Sequence, residues 1–187
     1  MGSFAEAQAF TAAWEGGLTE HPNDPGGITN YGVSLAFLRE LAPAEADING
    51  DGEIGAQDIR ELTKEQAADL FRAHFWKPLY CEEYAQPAAM ALYDAAVNCG
   101  RRQAVLFAQR AVNALDGKLV EDGKLGPKTR AELCAASGEG GMALAFGICS
   151  QREAFYRALV KKKPALSGFL AGWLRRLSAL EEACRYA

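Results

Sequence analysis

Glu15 stands in the run Trp14-Glu15-Gly16-Gly17, and Asp24 follows nine positions later in Asp24-Pro25-Gly26-Gly27-Ile28-Thr29-Asn30-Tyr31-Gly32. One carboxylic acid at the end of a helical segment and a second on a stiff, glycine-hinged loop are the groups that acid-assisted cleavage of a glycosidic bond needs. The first donates a proton to the leaving oxygen, and the second positions water or steadies the developing positive charge. Asp24 also has a plainer reading, as a residue that caps the turn through its side chain. Pro25 fixes one backbone angle while Gly26, Gly27 and Gly32 allow unusual ones, so the loop can turn tightly and admit a polymer close to the backbone. Thr29 and Tyr31 are then candidates for the polar wall of a cleft, and His21, between the two acids, is a candidate for its lining.

The element that must carry Glu15 is a helix. Ser3-Phe4-Ala5-Glu6 has the form of a capping box, and Phe4, Ala7, Phe10, Ala13 and Trp14 recur near helical spacing, which predicts a helix from about residue 4 to 15. Gly16 and Gly17 stop it, because glycine readily takes the left-handed conformation of a helix C-terminus. The negative end of the helix dipole then lies near Glu15, and together with shielding by Trp14 it favours the protonated form that a general acid needs.

The run Glu-Gly-Gly followed by Asp-Pro-Gly-Gly-x-Thr-x-Tyr-Gly-Val resembles the N-acetylmuramidases of glycoside hydrolase family 108, a lysozyme-like family of phage endolysins and secretion-activator proteins. The resemblance implies that Glu15 is the catalytic acid and that the substrate is the N-acetylmuramic acid to N-acetylglucosamine strand of peptidoglycan. Compared with phage-type lysozymes, four residues rather than five separate Asp24 from Thr29, so Asn30 holds the equivalent spacing and the roles of Asp24 and Thr29 stay open. A lytic transglycosylase using the same glutamate, and a non-catalytic calcium-dependent wall-binding protein, are the alternatives.

A second motif runs from residue 47 to 58. Asp47, Asn49 and Asp51 alternate, Gly52 supplies a sharp turn, Glu53 offers its backbone carbonyl and Asp58 closes a twelve-residue loop, in the positional pattern of an EF-hand calcium site. The expectation is a structural Ca2+, against an Asx-rich surface turn. The closing residue is Asp where EF-hands favour Glu, which shortens its reach.

The rest of the chain reads as helices, at about 34 to 42, 56 to 62, 64 to 74, 87 to 99, 102 to 115, 127 to 136, 141 to 161 and 167 to 185. Thr63-Lys64-Glu65-Gln66 is a further capping-box candidate. The fold class is therefore mainly α: a lysozyme-like helical fold with a small β/loop element for the cleft and an EF-hand-like insertion. The expected division is a catalytic region at 1–90 and a helical region at 91–187, packed as one compact unit. From residue 91 the segments Asp94 to Gly100, Asp122 to Thr129 and Phe169 to Arg176 resemble the peptidoglycan-binding region that accompanies this family. Asn98 either caps a helix end or faces the sugar chain, and Trp173 and Phe169 are expected in the core rather than on a carbohydrate platform.

Composition excludes several classes. Residues 1–100 carry 5 Lys+Arg against 16 Asp+Glu, a balance of −11, and residues 101–187 carry 15 against 8, a balance of +7. The acidic total of −4 and the absence of a base-reading motif argue against nucleic acid, while the basic half suits the anionic stems of the cell wall. The two histidines, His21 and His74, form no His-Glu-x-x-His set, which disfavours a zinc peptidase. Cys81, Cys99, Cys134, Cys149 and Cys184 are odd in number and widely spaced, and read as free thiols. No apolar run of about 18 residues and no leader pattern occur. The expectation is a monomer made in the cytoplasm without membrane insertion, which reaches the wall through a holin pore or a secretion system.

Overall fold

Proline and glycine cut the chain into helices largely where the sequence predicts. The computed structural model describes residues 1–20, 27–138 and 140–187, and among these the only sheet is a two-stranded hairpin. The chain forms two compact units, one of residues 11–71 and the other of residues 1–10 with 72–187. The first helix, α1 (Phe4–Trp14), begins in the larger unit and ends in the smaller.

In the smaller unit, β1 (Thr29–Asn30) pairs antiparallel with β2 (Val33–Ser34) in the register Thr29 to Ser34 and Asn30 to Val33. Helices α2 (Leu35–Leu38), α3 (Pro43–Ala46), α4 (Ala56–Glu61) and α5 (Lys64–Phe71) follow. The helix expected at 34 to 42 ends at Leu38; Pro43 accounts only for the loss of its last position, because it bars the helical conformation from the residue before it, and Ala42 is extended at φ −63°, ψ 141°. Ile28, Val33, Leu38, Ile59, Leu62 and Phe71 make the core. Asn30 is buried with them, and its Nδ2 donates to the Ile59 carbonyl at 3.0 Å, which fastens the hairpin to the end of α4. At Thr63 the capping box is complete: the Gln66 amide donates to Thr63 Oγ1 at 3.1 Å, and the Thr63 amide donates to Gln66 Oε1 at 2.9 Å.

In the larger unit the Ser3 box is half formed. Ser3 Oγ accepts from the Glu6 amide at 3.4 Å, while the Ser3 amide donates to Gln86 Oε1, a long-range partner that displaces Glu6. Phe4 meets Trp76 and Tyr93 edge to face at 5.6 and 5.8 Å, and those two rings meet at 5.6 Å, each pair contributing about 1 kcal/mol beyond burial. Past Phe71 the predicted α-helix gives way to a π-helical turn, Arg72–Trp76. Helix α6 (Gln86–Cys99) is buried continuously from Pro87 to Ala96. Its alanines let α7 (Arg101–Asn113), α9 (Met142–Lys162) and α10 (Ser167–Arg185) approach closely, and α8 (Pro127–Ala136) opens with proline in its first turn. All five cysteines are free: Cys81, Cys149 and Cys184 are buried, and Cys99 and Cys134 half-buried. Burial pushes the Cys184 thiol up to about 12.

Candidate active site

Glu15 directly follows α1, and its amide still donates to the Thr11 carbonyl at 3.2 Å, so its side chain departs from the last helical turn. The buried stripe near this end of α1 is Ala7 and Thr11, one turn apart, rather than Phe10 and Trp14. Trp14 therefore stays 38% exposed instead of shielding the acid fully, and Glu15 is half-buried.

Beyond the two glycines the chain is caught by the hairpin. Thr19 and Thr29 exchange both backbone hydrogen bonds, at 2.8 and 2.9 Å, which adds a bridge to the edge of β1. The turn between β1 and β2 is Tyr31-Gly32, with φ of +49° and +81°, the two positive values that a type I′ hairpin turn demands. This geometry brings Gly32 onto Glu15. A Cβ on Gly32 would lie 2.9 Å from Glu15 Cγ and 3.2 Å from Oε2, so only glycine satisfies both the dihedral and the contact. Tyr31 takes its left-handed conformation at a cost of roughly 1 kcal/mol and keeps its ring 40% exposed. One half-buried carboxyl thus lies beside a strained turn, with exposed rings at Trp14, its chain neighbour, and Tyr31, the neighbour of Gly32.

Thr29 is half-buried, with its backbone locked to Thr19 and Ser34. Asp24 and His21 lie outside the described residues. Asn30, at the spacing of the phage-type threonine, is committed to anchoring the hairpin. Nothing in the sequence pattern signals the Gly32 contact or the Thr19 bridge, because neither follows a local periodicity.

The 47–58 loop turns its carboxylates inward. Asp47 accepts from the amides of Gly50, Asp51 and Gly52 at 2.8 to 3.1 Å, and the Asp51 carboxylate accepts from the Glu53 amide at 2.8 Å and from Asn49 Nδ2 at 3.0 Å. Asp58 is buried; its Oδ1 accepts from the Ile48 amide at 2.8 Å and its Oδ2 from Gly55 at 2.7 Å, which caps α4. Burial pushes the Asp58 carboxyl up, but the amides of Gly55, Ile48 and Asn49 outweigh it and leave it below the usual carboxylate value. Among the described residues no three His, Cys, Asp or Glu side chains gather as a metal-holding group.

In the larger unit, Asn98 is exposed near the end of α6, and its side chain is not a helix cap: Oδ1 accepts from the Tyr156 hydroxyl at 2.5 Å. Trp173 is half-buried, and Phe169, expected in the core, is 60% exposed. No helix among the described residues is long and apolar enough to cross a membrane.

Comparison with known proteins agrees with this anatomy. Residues 8–100 match the family described as glycosyl hydrolase 108, and residues 103–178 match the predicted peptidoglycan domain. The solved structure of Brucella abortus SagA is similar at 27% identity, over 98% of this chain and 94% of that one, with a TM-score of 0.76. No curated protein matches the chain in sequence. With the two family domains in tandem along a mainly helical, lysozyme-like fold, the chain belongs to glycosyl hydrolase family 108 and is a glycoside hydrolase of peptidoglycan.

Proposed function

We propose that the protein is an N-acetylmuramidase that cleaves the β-1,4 bond between N-acetylmuramic acid and N-acetylglucosamine, with Glu15 as the general acid. The observation that carries this reading is the packing of the Glu15 side chain against Gly32, which holds a carboxyl at the mouth of a hairpin rather than leaving it to wander on a helix end. Glu15 protonates the leaving glycosidic oxygen as the C–O bond breaks, and the oxocarbenium-like sugar is captured by water. The rings of Trp14 and Tyr31, 38% and 40% exposed, offer apolar surface to a pyranose ring. Asp24 is the candidate for orienting the water, and His21 for lining the approach.

Replacing Glu15 with Gln keeps the shape and removes the proton. The expected result is a loss of about 10²–10⁴-fold in kcat on purified cell walls with binding retained. Full clearing by the variant sinks the assignment. Mass spectrometry of the wild-type products identifies the acceptor: reducing ends mark water, and 1,6-anhydro ends mark the internal attack of a transglycosylase.

For the 47–58 loop the proposal is a structural Ca2+ held by Asp47, Asn49 and Asp51 with the Glu53 carbonyl. The oxygen-rich donor set suits a hard cation, whereas Asp58, with both oxygens engaged by amides, must turn to serve as the closing ligand. Calorimetric titration of the wild type and of the Asp47→Ala, Asp51→Ala double variant checks it: heat of binding is expected in the first and absent in the second. Equal titrations remove the ion from the account.

A further inference from the structure

The larger unit holds an open cavity of about 370 Å³ at the start of α7, with Arg101, Arg102 and Lys124 on its wall and Leu79, Val105 and Leu125 as its apolar side. The volume falls within the roughly 300–1,000 Å³ of small-molecule sites. All three cations are exposed, and none of their side chains makes a hydrogen bond or ion pair among the described residues.

Their placement runs against local helix rules. Arg101 and Arg102 occupy the first turn of α7, at the positive end of the helix dipole, where no acid and no side-chain cap accompanies them. Two like charges at that end repel the free amides, a conflict that a bound anion removes.

The wall is also held in place without the cations. Gln109 is fully buried on α7, seven residues and two turns beyond Arg102, so both lie on one face. Its Oε1 accepts from the Gly123 amide at 2.9 Å, and its Nε2 donates to Asp122 Oδ1 at 3.0 Å and to the Lys124 carbonyl at 3.2 Å. The Lys124 amide donates to the same Asp122 oxygen at 2.9 Å, so the nearest acid in the chain is engaged in building the loop. Gly123, at φ +71°, lets this loop seat against the helix: a Cβ there would lie 2.7 Å from Arg102 Cγ and 2.8 Å from the Arg102 carbonyl oxygen. One buried amide and one glycine thus fix the Lys124 backbone beside Arg102 before any ligand arrives.

We propose that Arg101, Arg102 and Lys124 form a binding site for a phosphate monoester, whose phosphate meets the three cations and whose organic part lies on Leu79, Val105 and Leu125. A phosphate monoester carries about −1.5 to −2 near neutral pH and three strong acceptor oxygens, which match three cationic donors better than the single charge of a carboxylate does. Guanidinium groups present their N–H donors as a planar fork that fits two phosphate oxygens at once. The site belongs to the larger unit and takes no part in the chemistry assigned to Glu15.

The test uses the full-length protein and three probes: glycerol 3-phosphate, dihexanoyl phosphatidic acid and acetate. Calorimetry is expected to show saturable binding of both phosphates, with acetate at least about tenfold weaker, and amide shifts in NMR spectra gathered at Arg102, Gly123 and Lys124. A lipid that binds more tightly than the glycerol ester marks a membrane headgroup as the source; equal binding marks a soluble ester. Arg102→Gln and Lys124→Gln should each weaken binding about tenfold and leave the melting temperature unmoved, because neither side chain makes a bond that folding needs. The double variant Arg39→Gln, Lys64→Gln removes two exposed cations of the smaller unit and should bind as the wild type does. No saturable phosphate binding, acetate binding as tight as phosphate, or equal weakening in this control and in the Arg102→Gln, Lys124→Gln pair overturns the site.

Discussion

Gly32 is the residue on which the position of Glu15 turns. At φ +81° any L side chain is strained, and here its Cβ would also strike Glu15 Cγ. Gly32→Ala should therefore cost roughly 1 kcal/mol or more in stability and displace the carboxyl, with kcat falling at least about tenfold and KM changing less. Kinetics on solubilised glycan fragments together with a thermal melt check both parts, and a variant with normal kcat would show that the contact does not position the acid. Glu15 itself was legible from its neighbours in the chain, because a helix followed by two glycines is a local pattern. Gly32 was legible as a hinge but not as a wall, since the contact joins residues that only the hairpin brings together.

At the scale of elements, the hairpin and α4 behave as one piece through Asn30, and α5 begins from a fully reciprocal cap at Thr63 and Gln66. Thr63→Ala removes the acceptor for the Gln66 amide and should lower stability by about 1 kcal/mol, read as a shift in the denaturation midpoint without a change in its slope. Capping boxes are short-range, and the one at Thr63 appears as its sequence predicts. The box at Ser3 does not close, because Gln86, 83 residues away, takes the Ser3 amide. Tertiary competition of this kind leaves no mark in a four-residue pattern. The extended Ala42, by contrast, was written in the chain as Pro43.

At the scale of the molecule, the larger unit is organised around a buried acid. Asp94 and Arg152 have fully buried side chains, and Arg176 is nearly so. Burial alone would push the Asp94 carboxyl up, but Arg152 and Arg176 more than offset it and hold it below the usual carboxylate value. Its folded value thus lies below its unfolded one, near ~3.9, so the stabilisation is complete above about pH 4 and is lost as pH falls through the folded value. Melting temperature measured from pH 7 down to pH 2 should drop in the acid limb for the wild type. Asp94→Asn should be less stable by about 3–5 kcal/mol at neutral pH, because two buried guanidinium groups lose their counter-charge, and its acid limb should be flatter. An unchanged melting temperature in that variant would deny the cluster its structural weight.

The sequence by itself determined the helical class, most boundaries of the longer helices, the placement of Glu15 at a helix end and the family to which the chain belongs, because each of these is carried by local order: spacing, caps, proline and glycine. The tertiary structure alone decided which groups meet. Gly32 reaches Glu15 across a turn, Asn30 reaches α4, and Asp94 gathers two arginines 58 and 82 residues further along the chain. The exposure of Phe169, expected in the core, was likewise decided there. Periodicity shows that a helix has an apolar face, but what covers that face depends on helices far away in the chain, and no spacing rule encodes it.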